Sequence, residues 1–102
     1  MGLLAGAAAA APATQTFTGV ITDSMCAATG HAAMRMGPTD GDCTVACVMS
    51  HGALYVLLDG KQVYDLSDQR TPETLAGQKV RVAGTLDATT KLITVASIVA
   101  SP

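Results

Sequence analysis

The chain has 102 residues and a formal net charge of -2, with six Lys and Arg residues dispersed among eight Asp and Glu residues. This length corresponds to one domain, and the lack of a basic block in the sequence argues against nucleic acid as a partner. The sequence also lacks the polybasic amphipathic segment that would bind a membrane surface. With one Phe, two Tyr and no Trp, the core must be built mainly from Val, Leu and Ile.

The first 13 residues have the pattern of an export signal. Residues 3–11 are small and apolar, and Ala11-Pro12-Ala13 fits the small-x-small pattern cleaved by signal peptidase. The apolar run is too short to span a bilayer. We therefore predict a signal peptide over residues 1–13, a single mature domain over residues 14–102 with no membrane insertion, and a periplasmic or secreted location. The alternative is an Ala-rich disordered tail on a cytosolic protein.

The mature chain contains five segments with the alternation and the β-branched content of strands. They are Thr16–Asp23, Ala53–Leu58, Lys61–Leu66, Lys79–Leu86 and Leu92–Val99. Asp59-Gly60 predicts a type I′ hairpin turn between the second and third strands, and Gly19 and Gly84 each predict a bulge or a sharp bend within a strand. The segment Thr71–Gly77 predicts one helical turn between the third and fourth strands.

A long loop and a short helix separate the first two strands. The loop runs over Met25–Gly41, and the helix over Cys43–His51, with Asp42 as its N-cap and Gly52 at its C-terminal end. Val45 and Met49 would form the stripe of this helix that packs on the sheet. We predict an all-β fold, a small five-stranded OB-fold-like barrel with a Cys-bearing helix and a long loop inserted after strand 1. An open five-stranded meander packed on one helix is the alternative.

Residues 23–51 concentrate the side chains that bind soft metal ions. This stretch holds all three cysteines, both histidines and four of the five methionines. Cys26-x4-His31 followed by Cys43-x3-Cys47 supplies three thiolates and one imidazole, a set that tetrahedral Zn²⁺ accepts. On a helix, His51 would share one face with Cys43 and Cys47, because the three residues recur every four positions.

The leading hypothesis is therefore a small exported binding protein that holds a soft metal, zinc or copper. Its candidate ligands are Cys26, His31, Cys43, Cys47 and His51. Thioethers combined with thiolates favour Cu(I), and the four methionines that could supply them are Met25, Met34, Met36 and Met49. Methionines in so small a chain also serve as core fillers.

Two other hypotheses account for the same cysteines. Three cysteines cannot all pair within one chain, so Cys26 would form a disulfide with Cys43 or Cys47 and leave one buried free thiol. The domain would then be a structural or interaction module that binds a protein or glycan, with no metal and no catalysis. An enzyme would instead need a Cys47 thiolate activated by His51.

Most of the mature chain, from Thr16 to Ala100, resembles a group of small exported bacterial OB-fold proteins. The residues that carry the resemblance are Gly19–Cys26, His31, Asp42–Val48, Gly52–Leu66 and Ala76–Asp87. The resemblance implies an OB-fold and export, and it implies no activity.

Overall fold

The computed structural model describes residues 13–101, so the predicted signal segment lies outside the described residues except for Ala13. Five strands are present: β1 (Gln15–Asp23), β2 (Tyr55–Asp59), β3 (Gln62–Leu66), β4 (Lys79–Asp87) and β5 (Leu92–Ala100). One α-helix, α1 (Asp40–His51), lies between β1 and β2, and short 3-10 helices occupy Ala32–Met34 and Thr71–Leu75. These elements confirm a mostly β protein with a Cys-bearing helix inserted after the first strand.

The five strands form one sheet that closes in a ring. The strand order is β1-β2-β3-β5-β4, and β4 returns to pair with β1. All pairs are antiparallel except β3 and β5, which run parallel over Asp65–Leu66 and Leu92–Ile93. The interior is filled by alternate apolar side chains of the strands, as the period of two requires. The buried members of this core are Ile21, Tyr55, Leu57, Leu66, Val80, Val82, Ile93 and Ile98.

The predicted hairpin between β2 and β3 is confirmed, but its turn differs from the predicted one. Asp59 pairs with Gln62, so Gly60 and Lys61 are the central residues of the turn. Gly60 has a φ of 62°, whereas Lys61 is not among the residues with positive φ. Positive φ at the first central position alone belongs to the type II′ pattern, so the predicted type I′ turn is wrong.

Helix α1 begins three residues before its predicted start. Its N-cap is Thr39, whose Oγ1 accepts a hydrogen bond of 3.0 Å from the Asp42 backbone N–H. Asp42 is therefore a residue of the first turn, where its negative charge interacts favourably with the positive end of the helix dipole. The predicted C-terminal end is confirmed, since Gly52 adopts a left-handed conformation with φ 71° and its N–H binds the Cys47 carbonyl.

The predicted bulge at Gly84 is confirmed. The register of β4 with β5 shifts between Ala83, which pairs with Ser97, and Gly84, which pairs with Val95. Ala96 is thus the extra residue of a β-bulge.

The bulge predicted as one alternative at Gly19 is not formed, because β1 pairs with β4 without a register shift through this residue. Gly19 instead allows a close approach of two strands: a Cβ at this position would overlap the Leu58 carbonyl oxygen.

We expect replacement of Gly84 with Val to lower the free energy of unfolding by about 1–3 kcal/mol, the usual cost of overpacking. A Cβ at this position would overlap the Thr94 carbonyl oxygen and lie 2.8 Å from Ile93 Cγ2. Chemical denaturation measures the effect. Thr85→Val is the matched control, because it places the same residue type next to Gly84 without adding a Cβ. Equal midpoints for the two variants would contradict this packing.

Within residues 13–101, no helix has the length and apolar character needed to cross a membrane.

Candidate metal site

The helix α1 turns its cysteines inward. Cys43 and Cys47 are 0% exposed, and Thr44 between them is also buried. This confirms that the two thiols share one helical face, as their four-residue spacing predicts. The stripe predicted to pack on the sheet is wrong at Met49, which is 72% exposed, because burial of the thiol face turns Met49 toward solvent.

Asp23, the last residue of β1, positions Cys26. Its Oδ2 accepts hydrogen bonds of 3.1 Å from the backbone N–H groups of Met25 and Cys26. Its Oδ1 accepts a hydrogen bond of 3.1 Å from the Thr44 hydroxyl of α1. One carboxylate thus caps the turn that follows β1 and joins that turn to the helix. As a result, Cys26 is buried against the thiol face of α1.

Two groups of potential ligands share Cys26. The first contains Cys26, His31 and Cys43, and the second contains Asp23, Cys26 and Cys47. Within each group the ligand atoms lie within 4.8 Å of one another. In a tetrahedral site with metal–sulfur bonds of about 2.3 Å, ligand atoms stand about 3.8 Å apart. Within each group, the ligand atoms are therefore at most about 1 Å farther apart than the ligands of one bound ion.

His31 is half-buried beside the cysteines, and one of its two ring nitrogens is within hydrogen-bonding distance of a neighbouring side chain. Its Nε2 lies 3.2 Å from Thr22 Oγ1, whereas its Nδ1 is buried and has no hydrogen-bond partner among the described residues. A buried nitrogen without a partner is uncommon and costs free energy. In the tautomer in which Nε2–H donates to Thr22, the Nδ1 lone pair is free to bind an ion.

The loop that follows His31 covers the helix cysteines. The Cys43 thiol donates a hydrogen bond of 3.2 Å to the Met34 carbonyl oxygen, and the Cys47 thiol contacts Met36 Sδ at 3.7 Å. Met36 is half-buried and packs against the cysteine cluster. The three thiols are therefore enclosed between α1 and the 24–39 segment.

The environment of Cys26 and Cys47 favours the protonated form of these two thiols. Burial is the main cause that raises the pKa of Cys26 to about 12, and the Asp23 carboxylate and the other two cysteines add to it. Burial, followed by Asp23 and Cys43, also raises the pKa of Cys47. Neutral buried thiols are weak nucleophiles. This argues against the hypothesis of an enzyme that uses Cys47, and it means that a metal ion would have to displace protons.

All three cysteines are free thiols in the structure, so the alternative disulfide of Cys26 with Cys43 or Cys47 is not formed in it.

The fifth predicted ligand, His51, is exposed in the last turn of α1 and belongs to neither group of potential ligands. Four of the five candidate ligands thus come together, and His51 lies apart.

Sequence reasoning missed Asp23 and did not single out Met36. The sequence pattern assigns Asp23 only to the end of the first strand, and the structure adds its carboxylate to the cysteine cluster. Its position three residues before Cys26 was the available signal, because an Asp at this spacing caps the backbone that carries the cysteine. Met36 had no comparable signal, since its approach to Cys47 depends on the path of the covering loop.

A cavity of about 410 Å³ lies elsewhere, between the middle of β1 and the end of β2, where Gly19, Leu58 and Lys79 contribute to its lining. None of the cysteine-cluster residues lines it. The cysteine cluster is a packed region, which suits a bare ion better than an organic ligand.

Comparison of the chain with protein-family models, with curated proteins and with solved structures found no match.

Proposed function

We propose that this protein binds one soft metal ion, zinc or copper, at the cluster of Cys26, Cys43, Cys47 and His31. The observation that carries the proposal is the convergence of three buried thiols and one imidazole within two groups that share Cys26. Three thiolates and one imidazole form a ligand set that Zn²⁺ accepts, and thiolate-rich sets also bind Cu(I).

The charge of the cluster also supports a cation. Asp23 is 0% exposed, and the one ion pair within residues 13–101 joins Arg35 to Asp40 on the surface. A buried carboxylate without a cationic partner is costly, although hydrogen bonds reduce the cost. A cation at the second ligand group, where Asp23 lies with Cys26 and Cys47, would give this carboxylate a positively charged partner.

The histidine contributes a further argument. The His31 ring is hydrogen-bonded to Thr22 Oγ1 through Nε2, and its buried Nδ1 has no hydrogen-bond partner among the described residues. Metal-binding histidines are usually oriented in this way, with the second nitrogen hydrogen-bonded to a neighbouring group. Binding of an ion at Nδ1 would also satisfy a buried atom that has no hydrogen-bond partner within residues 13–101.

We expect His31→Ala to lower the affinity for Zn²⁺ by at least about tenfold, since even changes around a ligand cost that much. The affinity is measured by competition with a chromophoric chelator under anaerobic, reducing conditions. His51→Ala is the matched control: it removes the other histidine, which is exposed and outside both ligand groups. Equal affinities for the two variants would contradict a role for His31.

The OB-fold is part of this proposal. It is supported by the closed strand order β1-β2-β3-β5-β4, with a parallel pairing of β3 and β5, which corresponds to a five-stranded Greek-key barrel. An experimental structure with a different strand order would contradict it.

Export to the periplasm or the medium is proposed from the apolar run that ends in Ala11-Pro12-Ala13. We expect the protein, expressed in a bacterium with its own leader, to accumulate outside the cytoplasm with Thr14 as its first residue. Intact-mass measurement of the exported fraction tests this expectation. A mass that retains residues 1–13 would contradict the cleavage site, and a wholly cytoplasmic protein would contradict export.

A further inference from the structure

Met36 is the methionine whose sulfur faces the cysteine cluster. Its Sδ lies 3.7 Å from Cys47 Sγ, and the side chain packs among the buried cysteines. Met34 contacts Cys43 through its backbone carbonyl. Met25 and Met49 are 42% and 72% exposed. Among the described methionines, Met36 is therefore the one whose thioether is placed to join the thiols as a ligand.

A thioether ligand suits the charge balance of this site. Each thiolate adds a negative charge next to the buried Asp23, and like charges in a buried site oppose one another. A thioether adds a soft donor and no charge. For Cu(I), binding by two thiolates and the Met36 sulfur would thus leave less uncompensated negative charge than binding by three thiolates.

The choice of donor also discriminates between metals. Thiolate and thioether sulfur select Cu(I), whereas protein ligands of Zn²⁺ are thiolates, imidazoles and carboxylates. Cys26 and Cys47 already lie in one ligand group, and Met36 adjoins Cys47. We propose, on the basis of the metal-binding function above, that the Met36 thioether is a ligand and that Cu(I), bound by Cys26, Cys47 and Met36, is the preferred ion.

Replacement of Met36 with Leu separates the two ions. Leu keeps the volume and apolar character of the side chain, so the fold should be retained, and it removes the sulfur. We expect the affinity for Cu(I) to fall by at least about tenfold and the affinity for Zn²⁺ to stay unchanged. Both affinities are measured on the reduced full chain by competition with chromophoric chelators. Met49→Leu, the same change at an exposed position, should alter neither.

The outcomes distinguish this inference from the proposed function. Equal effects of Met36→Leu on both ions, or no effect on either, would overturn the role of Met36 while leaving metal binding intact. Failure of the unmodified protein to bind either ion would overturn the proposed function, and the inference with it. When one equivalent of each ion competes for the protein, recovery of the zinc form would overturn the preference for Cu(I).

A spectroscopic test addresses the bond itself. In protein labelled with selenomethionine and loaded with Cu(I), absorption at the selenium edge should show copper as a near neighbour of selenium. The feature should disappear in the labelled Met36→Leu variant and persist in the labelled Met49→Leu variant. Its absence from the labelled unmodified protein would contradict ligation by Met36.

Discussion

Replacement of Cys26 with Ser is expected to lower the affinity for Zn²⁺ by more than about a hundredfold, since the loss of a ligand exceeds the effect of changing its surroundings. Cys26 is common to both ligand groups, whereas Cys43 and Cys47 each belong to one. Competition with a chromophoric chelator measures how much affinity for Zn²⁺ each of the three Cys→Ser variants loses. The largest loss should occur for Cys26.

Stability provides a second readout of the same variant. Saturating metal stabilises a protein that binds it only when folded, by about 4 kcal/mol when the free ion is a thousandfold above its dissociation constant. We expect Zn²⁺ to raise the melting temperature of the unmodified protein and to have little effect on Cys26→Ser. The metal-free forms of both proteins must be compared first, because Ser places a hydroxyl in a buried position. Equal stabilisation of both proteins by Zn²⁺ would contradict the central position of Cys26.

The affinity for metal is expected to rise at least about a hundredfold per pH unit between about pH 6 and pH 8, because at least two thiols must release protons on binding. The pKa of Cys26 is raised to about 12, and the pKa of Cys47 is raised as well. Both thiols therefore carry protons throughout this range. As the pH falls, protons compete more strongly with the ion for the sulfurs, so the apparent affinity decreases.

Calorimetry in buffers of different ionisation enthalpy measures the protons released for each ion bound. Cys47→Ser is the matched variant, and we expect it to release one proton fewer than the unmodified protein. Release of fewer than two protons by the unmodified protein would mean that Cys26 and Cys47 do not both become thiolate ligands.

The local parts of the fold could be predicted from the sequence. Alternating β-branched residues identified all five strands to within two residues at their ends, because a strand with one buried face requires that alternation. Gly52 marked the end of α1 through its left-handed conformation. The start of α1 was placed too late because Asp42 and Thr39 are both good N-cap residues, and the covering loop decides which of them is used.

The candidate site was only partly predictable, because it combines local spacing on α1 with contacts between segments that are distant in the sequence. Spacing alone places Cys43 and Cys47 on one helical face, since four residues nearly complete a helical turn. The approach of Cys26 and His31 depends on how the turn after β1 folds back, which in turn depends on the hydrogen bonds of Asp23 with Cys26 and Thr44. Such contacts between distant segments have no periodic signature in the sequence.

The most direct test of the metal site is X-ray absorption at the zinc edge on the reduced protein loaded with one equivalent of Zn²⁺. If Cys26, Cys43, Cys47 and His31 bind the ion, the first shell should contain three sulfur neighbours at about 2.3 Å and one nitrogen at about 2.0 Å. A first shell made only of oxygen and nitrogen would contradict the account, because it would place the ion away from the cysteine cluster.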